Sequence, residues 1–215
     1  MPKETILVFC AHNDDQIIGA GGTLAKYAQE GKEVIVYIFS FGESSHPHYH
    51  KEEIIKRRVK ELQNADKIIG ITQSYFLGLK EGDFFNEFTK KKRKDILIRA
   101  IKEKNSLKIF THSMDDPHKD HQAVNTIVLS IAQEIGYTGE IFTFDVWNPF
   151  NLRNRNLPKL IVDIKHTLPL KVKAFTCHKS QALTLFIMMP FIYIRAILAG
   201  LQYGQWYSEK FTKIQ

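Results

Sequence analysis

The sequence predicts an α/β fold layered around a mostly parallel sheet. Short runs of continuous apolar residues alternate with longer helix-periodic segments, and the apolar runs are rich in β-branched and aromatic side chains. A continuous apolar run is what a strand covered on both faces requires. The 215 residues are 44% hydrophobic and 25% charged, with 12 Gly and 7 Pro. That composition excludes a disordered, collagenous or low-complexity chain. With no internal repeat and no linker, one domain over residues 1–215 is expected.

Thr5 to Cys10 (TILVFC) is the first strand, nearly all apolar. Gly21 to Gly31 reads as a helix of small and straight-chain residues ended by Gly31, and Glu33 to Phe39 repeats the strand signal. Lys51 to Ile69 carries Ile54, Ile55, Val59, Leu62 and Ala65 at close to helical period. Ser74 to Leu77 is a short strand. Lys90 to Glu103 is a further helix, with the basic run Lys90-Lys91-Lys92-Arg93-Lys94 as its solvated start. Leu107 to Thr111 is a strand, followed by a polar loop and a helix from about Pro117 to Ile135. Glu140 to Val146 and Leu160 to Ile164 complete the predicted strands.

Ala182 to Leu201 is long enough to span a bilayer. Its Leu, Ile and Phe residues favour insertion by about −3 to −6 kcal/mol, against about +2.5 to +3.5 for the central Arg195. Pro190, Thr184 and Gly200 bring the balance near zero. The segment is therefore expected to be a buried or homo-oligomer-forming helix, with shallow peripheral membrane contact as the alternative.

The net charge of +7 favours anionic partners. No stretch interleaves basic residues with stacking aromatics, so nucleic acid is not the expected partner. Cys10 and Cys177 cannot build a disulfide framework or a thiolate zinc site, and a reduced, cytoplasmic protein is expected. Met1-Pro2-Lys3-Glu4 leads directly into the first strand, without a secretory or transit pattern.

Two polar clusters follow predicted strands. One is Ala11-His12-Asn13-Asp14-Asp15-Gln16; the other is Asp115-Asp116-Pro117-His118-Lys119-Asp120-His121. Ligands of open α/β sheets collect at the carboxyl ends of the strands, so both clusters are expected at one edge. An Asp-Asp pair after a strand also caps helices, so neither cluster alone specifies a site. Together they suit a hydrolytic metal centre, in which His and carboxylate ligands leave a position for water. Ligand type leaves zinc, ferrous iron and other divalent ions open. Asp14, beside a ligand, is placed to take a proton from that water, and a remaining histidine to stabilise an oxyanion or protonate the leaving group. A two-metal phosphoesterase would need further carboxylates that the sequence does not supply.

With both clusters in view, the sequence resembles the LmbE-like (PIG-L) N-deacetylases. Their opening motif, Ala-His-Pro-Asp-Asp-Glu followed by Gly-Gly, reads here as Ala11 to Gln16 with Gly21-Gly22. Their His-x-Asp-His motif is His118-Lys119-Asp120-His121. Weaker matches extend through Gly42-Glu43, Arg58-x-x-Glu61-Leu62, Leu77-Gly78-Leu79, Lys173, His178-x-Ser180-Gln181 and Glu209-x-Phe211. The resemblance implies a Rossmann-like three-layer α/β/α fold and a cytoplasmic zinc-dependent hydrolase. Its implied reaction removes acetyl from an N-acetylglucosamine-type conjugate, with an anionic small molecule or glycoconjugate as substrate. It implies His12, Asp15 and His121 as metal ligands, Asp14 as general base and His118 as oxyanion or leaving-group partner. Arg58 and Asp83 are the implied substrate contacts; a helix-surface Arg58 paired with Glu61 is the other reading.

Asn13 and Gln16 depart from the family's proline and glutamate. Asn13 is expected to loosen the loop, and Gln16 to keep a hydrogen bond while removing a charge, with activity or metal affinity lower by ~10–100-fold if that glutamate tunes the ligands. A catalytically weak metal- and sugar-binding protein of the same fold is the alternative. His46-Pro47-His48-Tyr49-His50 is read as an exposed loop over the substrate, and His112 and His166 as structural or surface residues.

Overall fold

The apolar run Thr5–Cys10 forms β1 and is buried along its whole length. Side chains alternate across a strand. Accordingly, Ile6, Val8 and Cys10 enter one apolar cluster, while Leu7, Phe9 and the following Ala11 enter another. Both faces of the sheet are therefore covered, in a computed structural model that describes residues 3–43, 50–90, 92–103, 106–148 and 156–215.

The other strands are β2 (Glu33–Ile38), β3 (Gln73–Phe76), β4 (Lys108–His112), β5 (Glu140–Phe144), β6 (Lys159–Asp163) and β7 (Ser208–Lys213), in the sheet order β3-β2-β1-β4-β5-β7-β6. β1 to β5 are parallel, and β7 runs antiparallel to both of its neighbours. One face is packed by α1 (Asp15–Gln29), α2 (Lys51–Ile69), α6 (Leu168–Phe175) and α7 (Ala182–Gln202). The other is packed by α3 (Phe84–Lys90), α4 (Lys94–Glu103) and α5 (Lys119–Glu134). This is the three-layer α/β/α arrangement with a mostly parallel sheet. The strand order turns back between β1 and β4, the position where such sheets open a binding crevice.

The structure corrects several expectations. The first helix starts at Asp15 rather than Gly21. Its glycines disguise the helical pattern because they mark close packing: a Cβ at Gly19 would lie 2.2 Å from the Phe144 ring. The helix expected from Lys90 starts at Lys94, since Lys92 adopts a left-handed φ of 48° and separates α3 from α4. Residues 44–49, with most of the histidine-rich loop, and Lys91 lie outside the described residues.

β7 was not expected, because SEKFTK has little apolar signal. It is retained in the sheet partly through Glu209, whose carboxylate accepts the Gly22 and Thr23 backbone N–H groups at 3.0 and 2.7 Å. The same carboxylate pairs with the buried Lys171 Nζ at 2.6 Å.

The expectation of a buried α7 also fails on one side. Met188, Ile192, Ala196 and Ala199 are buried, but Leu183, Phe186 and Leu201 are 73%, 81% and 70% exposed. β7 and α6 pack against this helix.

Asp66 on α2 supplies a pH-dependent term. Burial pushes its carboxyl from 3.8 up to about 7, only partly countered by the Ser74 hydroxyl. Since the folded state holds this proton more tightly, the stabilisation is complete below about pH 4 and is lost as pH rises through 7. Asp66→Asn is therefore expected to stabilise the protein above pH 7 by on the order of 2–4 kcal/mol and to change little near pH 4. Thermal unfolding at the two pH values checks this.

Candidate metal centre

The carboxyl ends of β1 and β4 are neighbours in the parallel sheet. From β1 the chain runs through His12, Asn13 and Asp14 into the first turn of α1, and from β4 it runs through His112 to the loop before α5. The two clusters meet there.

Asp15 is the hub. Its Oδ2 accepts the His12 backbone N–H at 2.7 Å and lies 3.3 Å from His12 Nδ1, while its Oδ1 lies 3.4 Å from His121 Nε2. His12, Asp15 and His121 each present one ligand atom, all within 4.8 Å of one another. Burial opposes ionisation of Asp15, but His121, His112 and His12 outweigh it and hold the carboxyl well below its usual range. Burial also opposes protonation of His12 and His121. Asp15, assisted by Asp120 at His12 and by Asp116 at His121, raises them to about 10 and about 9. A divalent cation at these ligand atoms would take the place of these protons.

Asp116 prepares His121. Its carboxylate accepts the backbone N–H groups of His118, Val146 and Trp147 at 3.1, 2.8 and 2.9 Å and faces His121 Nδ1 at 3.0 Å. A proton on Nδ1 leaves the Nε2 lone pair toward Asp15, the carboxylate–histidine arrangement common behind metal ligands. His112, read from sequence as structural or surface, is buried in this cluster and stacks on His121 at 3.8 Å between ring centroids. Its Nε2 accepts the Ala11 N–H at 3.0 Å, and burial and His121 push it down to about 4. The same Nε2 lies 3.3 Å from Asp15 Oδ2.

His12, Asp15 and Asp120 border a cavity of about 680 Å³ whose lining also includes Asp14, Arg58, Glu81, His118, Lys119 and Trp147. His118 is the N-cap of α5. Its Nδ1 accepts the Asp120 N–H at 3.2 Å, and burial together with His121 and His12 lowers its pKa. A neutral His118 whose Nδ1 is an acceptor carries its proton on Nε2, ready to donate.

Arg58 is 3% exposed, which overturns the helix-surface reading. Its guanidinium donates to the Asn13 side chain and to the Gly42 carbonyl and lies 3.7 Å from Asp14. The Asn13 amide in turn donates to the Arg58 carbonyl at 2.9 Å. Asn13 therefore clamps the loop instead of loosening it, because its side chain supplies a donor and an acceptor that proline lacks. Gln16 keeps the expected hydrogen bond, from Nε2 to the Asn13 carbonyl at 3.0 Å.

Asp83 lies outside this cavity. It borders an adjacent hollow and accepts from Asn86. Glu81, two residues earlier, approaches His12 Nε2 at 3.5 Å instead. His178 is fully buried, with both ring nitrogens unpartnered among the described residues; burial lowers its pKa against the opposing pull of Asp14. Sequence reasoning did not single out Glu81, gave Asp116 no role of its own within the second cluster, and read His112 as structural or surface. For His112 the usable signal was its position at the carboxyl end of a central strand.

A doubly covered, mostly parallel sheet with clustered His and carboxylate side chains at its switch point defines a class: α/β proteins whose ligand crevice lies at the carboxyl ends of the strands. The PIG-L family profile, described as GlcNAc-PI de-N-acetylase, matches residues 7–132, and the chain belongs to this family. It is 26% identical over 202 residues to a 4-oxalmesaconate hydratase of Pseudomonas putida, covering 84% of this chain and 75% of that protein. It is 24% identical over 191 residues to the diacetylchitobiose deacetylase of Thermococcus kodakarensis, covering 82% and 69%. The solved N,N'-diacetylchitobiose deacetylase of Pyrococcus horikoshii superposes with a TM-score of 0.80 at 22% identity, over 98% of this chain and 84% of that one, a likeness of fold.

Removing either side chain of the hub should disable ion binding. Asp15→Asn and His121→Ala are expected to reduce bound zinc, read by elemental analysis, from one equivalent to background. In the unsubstituted protein, zinc at about 100 times its Kd is expected to stabilise the fold by about 2.7 kcal/mol, a shift of roughly 5–10 °C in Tm.

Proposed function

We propose that this chain is a metal-dependent deacetylase that hydrolyses the acetamide of an N-acetylated amino-sugar conjugate. The observation that carries this reading is the convergence of His12, Asp15 and His121, with Asp14 and His118 bordering the cavity that His12 and Asp15 line. His12, Asp15 and His121 would hold the ion, with zinc as the first candidate. When bound, the metal supplies Lewis-acid polarisation of the amide carbonyl and acidifies water. Asp14 accepts the proton of the attacking water. The His118 Nε2–H donates to the oxygen that gains charge as the carbonyl carbon becomes tetrahedral. Cleavage of the C–N bond releases acetate, and the amine departs with the proton held by Asp14.

Arg58 keeps Asp14 and Asn13 in register and borders the cavity, so its part is positioning as well as charge. With Lys119 and the net charge of +7, it supports an anionic group on the substrate. The free thiols Cys10 and Cys177 support a cytoplasmic setting.

The identity to a hydratase supports one second reading, addition of water across a carbon–carbon double bond. A panel of N-acetylglucosamine derivatives, assayed for acetate, separates the two. Acetate release supports deacetylation; no release, together with loss of ultraviolet absorbance from an unsaturated tricarboxylate, supports hydration. Asp14→Asn is expected to lower acetate release by ~10²–10⁴-fold while bound metal is unchanged. An Asp14→Asn protein as active as the wild type removes Asp14 as the base.

A further inference from the structure

The outward face of α7 carries no charge. Leu183, Phe186, Ile187, Ile194, Leu198 and Leu201 recur at helical spacing and are all exposed. At about 1.5 Å per residue, the 21 residues of α7 make a stripe about 30 Å long. Soluble monomers rarely leave so continuous an apolar surface uncovered. The segment Lys179–Gln202 is long and apolar enough to cross a bilayer, yet it does not stand free. Its inner residues Met188, Ile192 and Ala196 are part of the core, and Arg195 donates to the Asp145 carbonyl at 2.8 Å. A spanning orientation would tear out that packing, so the available geometry is a helix lying flat.

The surroundings select the occupant. Exposed Lys179 lies three residues before the helix, and exposed Lys210 borders a cavity with Leu198 and Gln202. Trp206, 71% exposed, and Tyr203 follow its C-terminal end, amphipathic rings of the kind that settle at a membrane interface. α7 contains no acidic residue. A second copy meeting this face by two-fold symmetry would bring the same lysines toward one another, whereas anionic headgroups neutralise them.

We propose that the outer face of α7 docks the protein flat on an anionic lipid bilayer, apolar side chains in the acyl boundary and Lys179 and Lys210 on the headgroups. Gln181 and Thr184, at the N-terminal end of the same helix, border the metal cavity, so docking places that cavity beside the membrane surface. The proposal does not depend on the deacetylase reading.

The test is flotation of the full chain with vesicles of phosphatidylcholine, with or without phosphatidylserine. Capture by the phosphatidylserine vesicles, weakened by added salt, is expected. Phe186→Glu with Leu201→Glu, both at solvent-facing positions, should keep the wild-type circular dichroism and melting transition. The double variant should lower vesicle affinity roughly 100-fold or more. Absence of capture, capture independent of phosphatidylserine, or a correctly folded double variant that floats like wild type overturns the proposal. So does a dimer dissolved by the same substitutions in a protein that vesicles do not retain.

Discussion

The fold is organised around one buried negative charge. Asp15 is 2% exposed, and a carboxylate removed from water is tolerated only when hydrogen bonds and opposite charge replace its solvation. The His12 N–H, the first turn of α1 and the surrounding histidines provide this. The helix macrodipole contributes in the same sense, since Asp15 is the first residue of α1. Each partner comes from a different part of the sheet edge, so Asp15 keeps its low pKa only while β1, β4, α1 and α5 stay in register. The group that would bind a cation is thus also the group that makes the crevice costly to misassemble.

That register is braced from a distance. Glu209 on β7 draws backbone N–H groups of Gly22 and Thr23 toward itself, on the same helix that presents Asp15, and is neutralised by Lys171 from α6. Breaking a buried pair on one side leaves an uncompensated charge, which costs about 3–5 kcal/mol. The last strand, inserted antiparallel between β5 and β6, therefore fixes the position and tilt of α1. Asp116 plays a parallel part on the other side, tying His121 to the chain just beyond β5 through Val146 and Trp147.

This explains what could be read from the residues in order. The strands buried on both faces, β1, β2, β4 and β5, announced themselves as apolar runs, because double burial leaves no polar positions. The grouping of His12, Asp14, Asp15, His118 and His121 was legible because each stands close behind the end of a strand, and neighbouring parallel strands bring those ends together. β7 was not legible: its place depends on the pairing of Glu209 with residues nearly 190 positions away, and a single carboxylate in SEKFTK carries no trace of that partner. The start of α1 was obscured for a similar reason. Gly19 and Gly22 lower local helix propensity, and only the approach of Phe144 and Ile164 explains them. The exposed side of α7 was hidden because composition reports how apolar a segment is, not which of its faces finds a partner.

Asn13 and Gln16 form one network rather than two independent losses from the family pattern. Gln16 is fully buried and donates its amide to the Asn13 carbonyl, while its Oε1 faces the Cys10 thiol at 3.5 Å. A carboxylate at position 16 would set a charged acceptor against that carbonyl with no donor in return, so the neutral amide is the form this loop can hold. Asn13, whose side chain spans to both the guanidinium and the carbonyl of Arg58, fastens the loop to α2, and Arg58 in turn stands beside Asp14. The carboxylates around the His12–Asp15–His121 cluster are Asp15 itself, with Asp116, Asp120 and Glu81, and the two side chains hold the loop that carries Asp14.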